Sequence, residues 1–499
     1  MLVFVTMKSM KPLRHAKATL KKTKVIATFG PACANQKDIQ HLISSGVDVI
    51  RINSSHLKEA SEVAPIVKLI RKAAIKANSH VGIMLDLQGP KIRLGDFKEK
   101  QIALKEGDPY SLSTEPILGN QKACHISYAK LPQELKPGEI IYIDDGKVQL
   151  QVKSCDVNTV KCKTLRGGKL SSRKGLNLPH SNLSISAMTK KDFLFSDAAI
   201  ESGCNYVAIS FVSSKKDLLL LREYLDTHDG KELHIISKIE RQQALDNIDE
   251  IIDHSQAIMV ARGDLGVEIG VENVPKAQKL IIQKTNFKIK PVIVATQMLE
   301  SMIYQETATR AEASDVANAI YDQCDAVMLS GETAVGISPI SAVETMVNIC
   351  QATDAHMLER KEGTNTLQKR VFYQADTPTI MCKAGERIVE ETKSDFILSF
   401  TSTGNTPRIN AKLYPPVPII SPTDDISICQ RMCLYRSVIP LLIGKKFNDI
   451  HRWRDMISVT VEQAKAESLL FKGDKLVVLA GIPIGLSGGL NSIRLINVK

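Results

Sequence analysis

Two charged groups, far apart in the sequence, have the residue types and spacing to carry chemistry. The first lies in the run Ile235–Glu240, where Lys238 and Glu240 stand two residues apart. If this run is a β-strand, both side chains point to the same face. The second lies in the run Ile258–Gly266, where Asp264 follows an apolar stretch. One cation and two carboxylates at strand ends can hold a divalent metal ion together with a phosphate.

Eight apolar runs, each followed by an amphipathic segment, predict the elements that position these charges. They are residues 25–30, 47–53, 81–86, 206–211, 233–240, 257–264, 291–297 and 326–331. Strands that alternate with helices form a parallel sheet, and eight such units predict an α/β fold of the (β/α)8 TIM barrel type. In such a barrel the carboxyl ends of the strands form the active-site face. That rule selects Arg51, Asn53, Asp86, Lys238, Glu240, Asp264, Thr296 and Ser330.

The segment between the third and fourth runs has a different pattern. It contains alternating, strand-like stretches such as Ile140–Ile143 and glycine-containing turns such as Asp144–Lys147. We therefore interpret residues 90–187 as a small all-β domain, an inserted β-barrel lid, in a catalytic barrel that occupies residues 21–89 and 188–350. A position over the carboxyl ends of the strands predicts that this domain acts as a lid.

After residue 350 the pattern changes again. Strand-like runs at 396–400, 418–421, 438–442 and 475–480 alternate with helical stretches, which predicts a C-terminal α/β domain over residues 351–499. The polar loop Thr401–Thr406 follows the first of these strands. Hydroxyl groups and free amides near a helix start can hold a phosphate, but an ordinary β–α turn has the same composition.

Composition narrows the class of protein. The chain has 499 residues, of which 43% are hydrophobic and 24% charged, as in a folded globular protein of two to four domains. No apolar run approaches the length of a membrane span. A net charge of +11 favours anionic partners. Residues 1–20 form a basic extension, and the sequence does not exclude that this segment is an organellar transit peptide. Ten cysteines without a CxxC motif indicate reduced thiols in a cytosolic protein.

Six blocks of the sequence resemble the pyruvate kinase family, and they occur in the family's order. The blocks are residues 49–56, 86–93, 235–240, 258–270, 291–302 and 309–332, and the resemblance extends from about Thr23 to the C-terminus. It implies a cytoplasmic glycolytic enzyme that transfers the phosphoryl group of phosphoenolpyruvate to ADP, giving pyruvate and ATP. It also implies a barrel, a lid, a C-terminal regulatory domain and a homotetramer.

The resemblance assigns roles to the charged residues. Lys238 would offset the charge on the oxygens of the transferred phosphoryl group. Glu240 and Asp264 would bind Mg²⁺, with Mn²⁺ as an alternative, and the metal would stabilise the enolate. Arg51 would bind the substrate phosphate, and Gly263 would let backbone amides approach the substrate carboxylate.

Further positions match the family's proton-transfer and nucleotide sites. Thr296 would lie near the enolate carbon, which receives a proton through a water relay. The resemblance does not decide whether Ser330 and Glu332 belong to that relay. The residues that match nucleotide-binding positions are Asn53, His56, Arg93 and Lys174. Lys174 lies in the predicted lid, so it would reach ADP only when the lid closes.

The family's monovalent-cation pocket is altered in this chain. Members that require K⁺ have Asp-Thr-Lys-Gly-Pro-Glu, whereas residues 86–91 here are Asp-Leu-Gln-Gly-Pro-Lys. By resemblance, the pocket is formed by Asn53, Ser55, Asp86 and Leu87. We predict that the ammonium group of Lys91 fills this pocket beside Asp86, so that K⁺ is not required.

The family also places a sugar-phosphate effector loop at Thr401, Ser402, Thr403, Gly404, Asn405 and Thr406, which favours allosteric control by a phosphorylated effector.

Two alternatives compete with the assignment to the pyruvate kinase family. Another enolate-stabilising barrel enzyme, such as a lyase or a phosphoenolpyruvate-utilising transferase, is disfavoured because a lyase needs no nucleotide residues like Arg93 and Lys174. A non-catalytic protein that binds nucleic acid is disfavoured by the intact Lys238, Glu240 and Asp264. We therefore expect neither nucleic acid nor membrane as a partner.

Overall fold

The structure is a computed structural model that describes residues 21–144, 146–179, 181, 183–359, 376–444, 447, 452–482 and 489–499. The basic extension predicted at residues 1–20 lies outside this set. Within the described part of the chain, no helix is both long enough and apolar enough to cross a membrane. All ten cysteines are free, and nine of them are buried.

The described chain starts with three strands and two helices of a barrel. They are β1 (Lys24–Thr28), α1 (Gln36–Ser44), β2 (Val49–Asn53), α2 (Val63–Lys76) and β3 (Gly82–Asp86). Every residue of β1 and β3 is buried, as expected for parallel strands that helices cover on the outside. The side chain of Asn35 caps α1 by accepting the N–H of Asp38, which defines where the helix begins.

An inserted β-domain follows. Its elements are β4 (Gln101–Leu104), β5 (Pro109–Ser113), β6 (Ala123–His125), α3 (Leu131–Glu134), β7 (Ile140–Ile143), β8 (Val148–Cys155), β9 (Thr159–Arg166), β10 (Gly168–Ser171) and β11 (Leu176–Asn177). Six strands form a sheet in the order β11-β7-β8-β9-β5-β6, and β10 pairs with β4. Alternate residues of β8 are buried, in keeping with a strand that has one face on a core. This domain has a hydrophobic core of its own.

The chain then returns to the barrel. The elements are α4 (Lys190–Glu201), β12 (Tyr206–Ile209), α5 (Lys215–Thr227), β13 (His234–Ile239), α6 (Gln242–Asp246), α7 (Ile248–His254), β14 (Ala257–Ala261), α8 (Arg262–Ile269), α9 (Val274–Phe287), β15 (Val292–Ala295), α10 (Arg310–Tyr321), β16 (Ala326–Leu329), α11 (Gly331–Ala334) and α12 (Pro339–Glu359). Short 3₁₀ turns lie at Pro31–Cys33, Ser54–His56, Ala60–Glu62, Val271–Asn273 and Glu300–Ile303.

The eight barrel strands close into a ring. Their order is β1-β2-β3-β12-β13-β14-β15-β16, with β16 pairing back to β1, and all pairings are parallel. The predicted (β/α)8 barrel is thereby confirmed. Most strands are shorter than the predicted runs, and β14 ends at Ala261, three residues before the predicted end. Asp264 therefore lies in the first turn of α8 rather than on the strand.

The C-terminal domain is a five-stranded α/β sheet. Its elements are α13 (Thr377–Thr392), β17 (Phe396–Ser399), α14 (Asn405–Lys412), β18 (Ile419–Thr423), α15 (Ile426–Arg431), a 3₁₀ turn (Met432–Leu434), β19 (Val438–Leu442), α16 (Trp453–Ala466), β20 (Lys475–Gly481) and β21 (Leu490–Asn497). The sheet order is β19-β18-β17-β20-β21, and only β21 is antiparallel. The sequence did not predict β21, because its residues lack regular alternation of buried and exposed positions.

The interior of the barrel and one face of the C-terminal domain share a single hydrophobic core. Barrel residues such as Ile26 and Met259 belong to the same buried cluster as Ile419 and Met432 of the C-terminal domain. Tyr206, at the start of β12, also donates its hydroxyl to the backbone of Arg431. The C-terminal domain therefore closes the amino-terminal end of the barrel, and the opposite end faces the inserted domain.

Candidate active site

Lys238 lies at the centre of the charged cluster at the carboxyl end of the barrel. Its Nζ atom donates to Ser210 Oγ at 2.7 Å and lies 2.7 Å from Glu240 Oε1 and 3.4 Å from Asp86 Oδ1. Burial alone would lower the pKa of this lysine, but the charges of Asp86 and Glu240 outweigh that effect and raise it above its usual value. Lys238 is thus a permanent cation in a site that is only 13% exposed.

Arg51 and Asp86 connect β2 and β3 beside this lysine. Arg51 Nε donates to Asp86 Oδ2 at 2.7 Å, and its NH1 group donates to Thr28 Oγ1 at 3.1 Å. Burial would raise the pKa of Asp86, but the charges of Lys238 and Arg51 hold it below its usual range. Asp86 is therefore an anion that two cations neutralise, and it orients both of them toward the barrel axis.

Glu240 is fixed on one side only. Its Oε2 atom accepts the backbone N–H of Phe211 at 2.7 Å. Its Oε1 atom is buried and is contacted by the ammonium of Lys238 at 2.7 Å, but it accepts no hydrogen bond from any other group of the described chain. Burial raises the pKa of Glu240, and the charge of Lys238 offsets part of that rise. A buried carboxylate oxygen with one cationic contact and no other partner is the kind of atom that a metal ion can bind.

The structure places Lys91 differently from the prediction. Its Nζ atom lies 3.9 Å from Asp264 Oδ1, and its side chain crosses Gly175 of the lid, where an added methyl group would lie 2.7 Å from Lys91 Cε. Asp86 does not contact Lys91, because Arg51 and Lys238 already occupy its carboxylate. The ammonium group of Lys91 is therefore beside Asp264 and not in the predicted pocket around Asp86.

The residues present fit a divalent metal of the Mg²⁺ type. Asp264 is partly exposed, its charge raises the pKa of Glu240, and the Oε1 atom of Glu240 lies on the same side of the barrel. Among the described residues, no group of three or more His, Cys, Asp or Glu side chains is arranged around a metal position. Two carboxylates suit an ion that takes its other ligands from substrate oxygens and water.

Thr296 and Gly263 form a strained junction just beyond β15 and β14, the two strands that follow β13 in the barrel. Thr296 has a φ of 71° and Gln297 a φ of 54°, a conformation that is rare for residues with a Cβ and rarest for β-branched ones. The Thr296 hydroxyl donates to Ala295 O at 2.6 Å and accepts the N–H of Gly263 at 2.8 Å. The Gly263 amide predicted to face a substrate carboxylate is thus bonded to Thr296.

Arg262 holds this strained turn in place. Its guanidinium donates to Thr296 O and Gln297 O at 2.8 and 3.2 Å and pairs with Asp315 at 2.7 Å. Strain of this kind persists only where surrounding contacts impose it, and it is concentrated at functional sites. Sequence reasoning missed Arg262, although it directly precedes Gly263.

Ser330 and Glu332 lie at the end of β16. Glu332 is 2% exposed and accepts the N–H groups of Ser330 at 2.7 Å and Leu299 at 3.1 Å. Because both of its hydrogen bonds are to backbone, Glu332 fixes two loops. Ser330 Oγ is buried and has no hydrogen-bond partner within the described chain, so it is free to contact a bound molecule.

The predicted nucleotide-binding residues lie on two parts of the molecule, the barrel and the inserted β-domain. Asn53 accepts the N–H of Ser55 at 3.1 Å and caps the turn Ser54–His56 on the barrel. On the lid, Arg93 donates to Arg173 O at 3.0 Å, and Lys174 donates to Asp144 Oδ1 at 2.9 Å. An open cleft separates the inserted domain from the barrel. Arg93 and Lys174 are therefore held by lid residues in this structure.

Comparison with known proteins gives the same assignment at the level of the family. A model of the pyruvate kinase barrel domain matches residues 20–343, and a model of the pyruvate kinase alpha/beta domain matches residues 379–496. The chain belongs to the pyruvate kinase family. Its enzymes are kinases, and this chain is accordingly a phosphotransferase.

Individual pyruvate kinases are similar over nearly the whole chain. The enzyme of Clostridium perfringens is 38% identical over 481 residues, which cover 95% of this chain and 99% of that protein. The enzyme of Thermococcus litoralis is 36% identical, with 96% and 98% covered. A crystal structure of a pyruvate kinase from Cryptosporidium parvum superimposes with a TM-score of 0.91 at 34% identity and covers 98% of both chains.

The loop Thr401–Thr406 of this pyruvate kinase family member is bonded within itself. Thr401 Oγ1 accepts the N–H groups of Gly404 and Thr403 at 2.8 and 3.3 Å, and Gly404 has a φ of 85° at the start of α14. The loop lines a pocket that Phe400 and Pro378 also border. Part of the glycine-rich C-terminal loop 481–491 lies outside the described residues.

Two adjacent residues that sequence reasoning missed organise the catalytic charges. Ser210 Oγ accepts from Lys238, and the backbone of Phe211 donates to Glu240. The only sequence signal for them was their position at the end of the fourth apolar run, the same rule that selected Ser330. Gln88, where many family members have Lys, accepts from Lys191 Nζ at 3.2 Å, so a lysine from α4 places its charge there.

Proposed function

We propose that this enzyme transfers the phosphoryl group of phosphoenolpyruvate to ADP, giving pyruvate and ATP. The observation that carries the proposal is the arrangement of Lys238. Its ammonium lies between two buried carboxylates, and the oxygen that it contacts on each accepts no hydrogen bond from any other group of the described chain. Such a preorganised cation stabilises the charge on the oxygens of a transferring phosphoryl group.

We propose Arg51 as the second phosphate ligand. Asp86 holds its Nε and NH2 atoms and Thr28 accepts from NH1, so NH1 and NH2 each keep one N–H group for another ligand. A guanidinium held in this way offers two parallel donors to a phosphate. Arg51 would orient the phosphoenolpyruvate phosphate, and Lys238 would remain beside it as the phosphoryl group leaves.

Glu240 and Asp264 would hold Mg²⁺, with Mn²⁺ as an alternative. The support is the buried Oε1 atom of Glu240 and the neighbouring carboxylate of Asp264, both hard oxygen ligands. A divalent ion bound there supplies positive charge that stabilises the enolate left after phosphoryl transfer. By holding the ion, Glu240 and Asp264 would help to orient the substrate, because such an ion also binds substrate oxygens.

Thr296 is the proposed end of the proton path to the enolate carbon. Its hydroxyl is fixed between Ala295 O and the Gly263 amide, at a strained position facing the site. A threonine hydroxyl is too weak an acid to act alone, so we propose that it passes a proton from water. Ser330, with a buried hydroxyl lacking a partner in the described chain, is a candidate member of that path.

The nucleotide would bind across the cleft. Asn53 and His56 would contribute from the barrel, and Arg93 and Lys174 from the lid. Lys174 now pairs with Asp144 at 2.9 Å in a half-exposed setting, a contact that an ADP phosphate can replace at little cost. Lid closure would then bring the lid cations to the phosphates and exclude water.

We propose that the enzyme does not require K⁺. Around Asp86 the negative charge is already compensated by Arg51 and Lys238, and Leu87 has no side-chain oxygen to offer a cation. Lys91 adds an ammonium beside Asp264, where many family members have a glutamate. A resident positive charge near the transferring group would supply what K⁺ supplies elsewhere.

We further propose that a phosphorylated effector binds the loop Thr401–Thr406 in a cytoplasmic homotetramer. The hydroxyl and amide groups of the loop surround a pocket at the amino end of α14. Calorimetry with a panel of sugar phosphates and nucleoside monophosphates tests binding. Thr401→Glu, which puts an anion into the pocket, should abolish activation and leave basal activity intact; persistent activation would reduce the loop to a turn.

The central experiment is a coupled assay of pyruvate formation by the purified chain. Phosphoenolpyruvate and ADP should yield pyruvate only when Mg²⁺ or Mn²⁺ is present. Omitting ADP is the matched control, because a lyase or a simple phosphatase would still release product. Equal product without ADP, or full activity in a metal chelator, would contradict the proposal.

A further inference from the structure

Phe211 has a backbone conformation that few residues with a Cβ adopt. Its φ is 57°, which costs on the order of 1 kcal/mol and persists only where contacts impose it. Its N–H donates to Glu240 Oε2 at 2.7 Å, and its ring centre lies 5.0 Å from the guanidinium of Arg241. The strained conformation thus places one peptide group on a proposed metal ligand and turns the ring away from it.

The ring of Phe211 packs on the first linker of the lid. Gly89 in this linker has a φ of 67°, and a methyl group there would lie 3.0 Å from Phe211 Cδ2 and 3.1 Å from Ser210 Cβ. No free space therefore separates the linker from the dipeptide Ser210–Phe211. The N–H of Leu87 also donates to Ala208 O at 2.9 Å, which joins the start of the linker to β12.

Ser210 extends the same connection to the catalytic lysine. Its hydroxyl accepts from Lys238 Nζ at 2.7 Å and donates to Leu87 O at 2.8 Å. A hydroxyl that donates to one partner and accepts from the other couples their positions. Lys238 and Glu240 are therefore each hydrogen-bonded to a dipeptide that rests against the lid linker.

The second linker of the lid reaches the same point from the other side. Arg241, which lies over the Phe211 ring, is close enough to Glu268 for their charges to interact. Glu268, Phe211 and Arg241 line one pocket together with Asn177 and Leu178, the residues that lead out of the lid. Both linkers thus converge on Phe211.

We propose that Phe211, together with Ser210, is a positioning residue that couples the setting of the lid to the orientation of Glu240 and Lys238. A change in the Gly89 linker displaces the Phe211 ring and, through the Phe211 N–H, turns the Glu240 carboxylate. The metal-binding geometry is then complete only in one lid position. This inference rests on the proposed role of Glu240 as a metal ligand.

The first test measures Mn²⁺ binding to the full-length enzyme directly, by the electron paramagnetic resonance signal of free Mn²⁺. Phe211→Ala keeps the N–H that donates to Glu240 but removes the ring that fixes its position, so it should raise the Kd for Mn²⁺ about tenfold, the size of effect typical of a disturbed metal-ligand support. Phe211→Tyr, which keeps the ring, should retain wild-type affinity. If Phe211→Ala lowered only the Tm and bound Mn²⁺ like wild type, the residue would be purely structural and the proposal wrong.

The second test acts on the linker. Gly89→Ala should weaken Mn²⁺ binding several-fold, although Gly89 lies outside the proposed metal shell. Gly203→Ala is the matched control, since Gly203 has a φ of 72° but no atom within 4 Å of an added methyl group. The losses from Gly89→Ala and Phe211→Ala should be non-additive, because both act through one contact. Additive losses would overturn the coupling, and if Gly89→Ala does not fold, the Phe211 pair decides alone.

Glu240→Gln separates this inference from the proposed function. It should abolish Mn²⁺ binding at the site if Glu240 is a ligand. Unchanged Mn²⁺ binding in Glu240→Gln would show that Glu240 is not a ligand and would refute the proposed metal site. Loss in Glu240→Gln with wild-type binding in Phe211→Ala and Gly89→Ala would keep the metal site and reject only the coupling.

Discussion

At the base of the barrel, Lys412 and Asp325 form an ion pair in which both side chains are only 1% exposed, and at the mouth Lys238 is almost as deeply buried beside two carboxylates. The two sites differ in how completely they are satisfied. Lys412 also donates to Asn286 Oδ1 at 2.6 Å, and Asp325 Oδ2 accepts the N–H of Val292 at 2.7 Å. At the mouth, by contrast, Asp86 Oδ1 and Glu240 Oε1 share the ammonium of Lys238 at 3.4 and 2.7 Å and accept no hydrogen bond from any other group of the described chain.

This difference separates structural charge from functional charge. In the described part of the chain, those two atoms are the only buried carboxylate oxygens that accept no hydrogen bond beyond an ion-pair contact. At the base, Asp354 accepts from Arg436, Thr23 and the Lys22 amide and joins the barrel to the C-terminal domain. A buried polar group left unsatisfied costs free energy, so its retention indicates that a ligand completes it.

The largest expected contrast comes from the lysine at the mouth. Lys238→Met should lower kcat on the order of 10³ or more, if this charge stabilises the transition state by about 4 kcal/mol. Single-turnover assays of pyruvate formation measure the loss, with circular dichroism to verify the fold. Near-normal turnover in the folded variant would remove Lys238 from phosphoryl transfer.

The lysine at the base should show the opposite profile. Lys412→Met leaves Asp325 buried without its cation, which should cost about 3–5 kcal/mol of unfolding free energy. The kcat of the protein that remains folded should not change. Urea unfolding measures the cost, with Lys284→Met as the control, because the exposed pair Lys284–Asp249 contributes at most about 1 kcal/mol. Equal losses in both variants would show that the base pair carries no special stability.

Glu268, beside the mouth of the barrel, predicts how the stability of the protein depends on pH. Burial raises its pKa to about 7, and Arg241 offsets part of the rise. Between about pH 4.5 and 7 the folded state keeps Glu268 protonated, whereas the unfolded state loses the proton. The free energy of unfolding should therefore fall as pH rises from about 4.5 to 7. Glu268→Gln should be more stable than wild type at pH 8 by on the order of 2 kcal/mol and equal to it near pH 4. Thermal unfolding at both pH values checks this, and parallel pH curves for the two proteins would refute it.

Substitution of Lys91 tests whether the protein itself supplies the positive charge that K⁺ supplies in other family members. Wild-type enzyme should work nearly as well in bulky organic cations as in KCl. Lys91→Glu should lower activity without K⁺ about tenfold, if the charge contributes roughly 1.4 kcal/mol, and K⁺ should restore part of it. Initial rates against KCl at constant ionic strength separate specific binding from screening. A wild-type enzyme that is inactive without K⁺ would show that Lys91 does not replace the cation.

Much of this architecture was readable from local sequence patterns. Each of the eight apolar runs became a barrel strand, because an uninterrupted stretch of apolar residues suits a parallel strand covered on both sides. Lys238 and Glu240 lie together at the end of β13, as their spacing of two required. The family blocks carried the assignment to kinases, which the matched domain models bear out.

Only the tertiary structure decided how the charges pair. Arg51 meets Asp86 across 35 positions of sequence, and Lys91 lies beside Asp264 although Asp86 is far nearer in the chain. The roles of Phe211 and Arg262 were likewise invisible, since each acts through hydrogen bonds to groups on other strands. Periodicity and propensity are set by near neighbours in the chain, whereas the partner of a buried charge depends on which strand ends barrel closure brings together and which charges have already been neutralised.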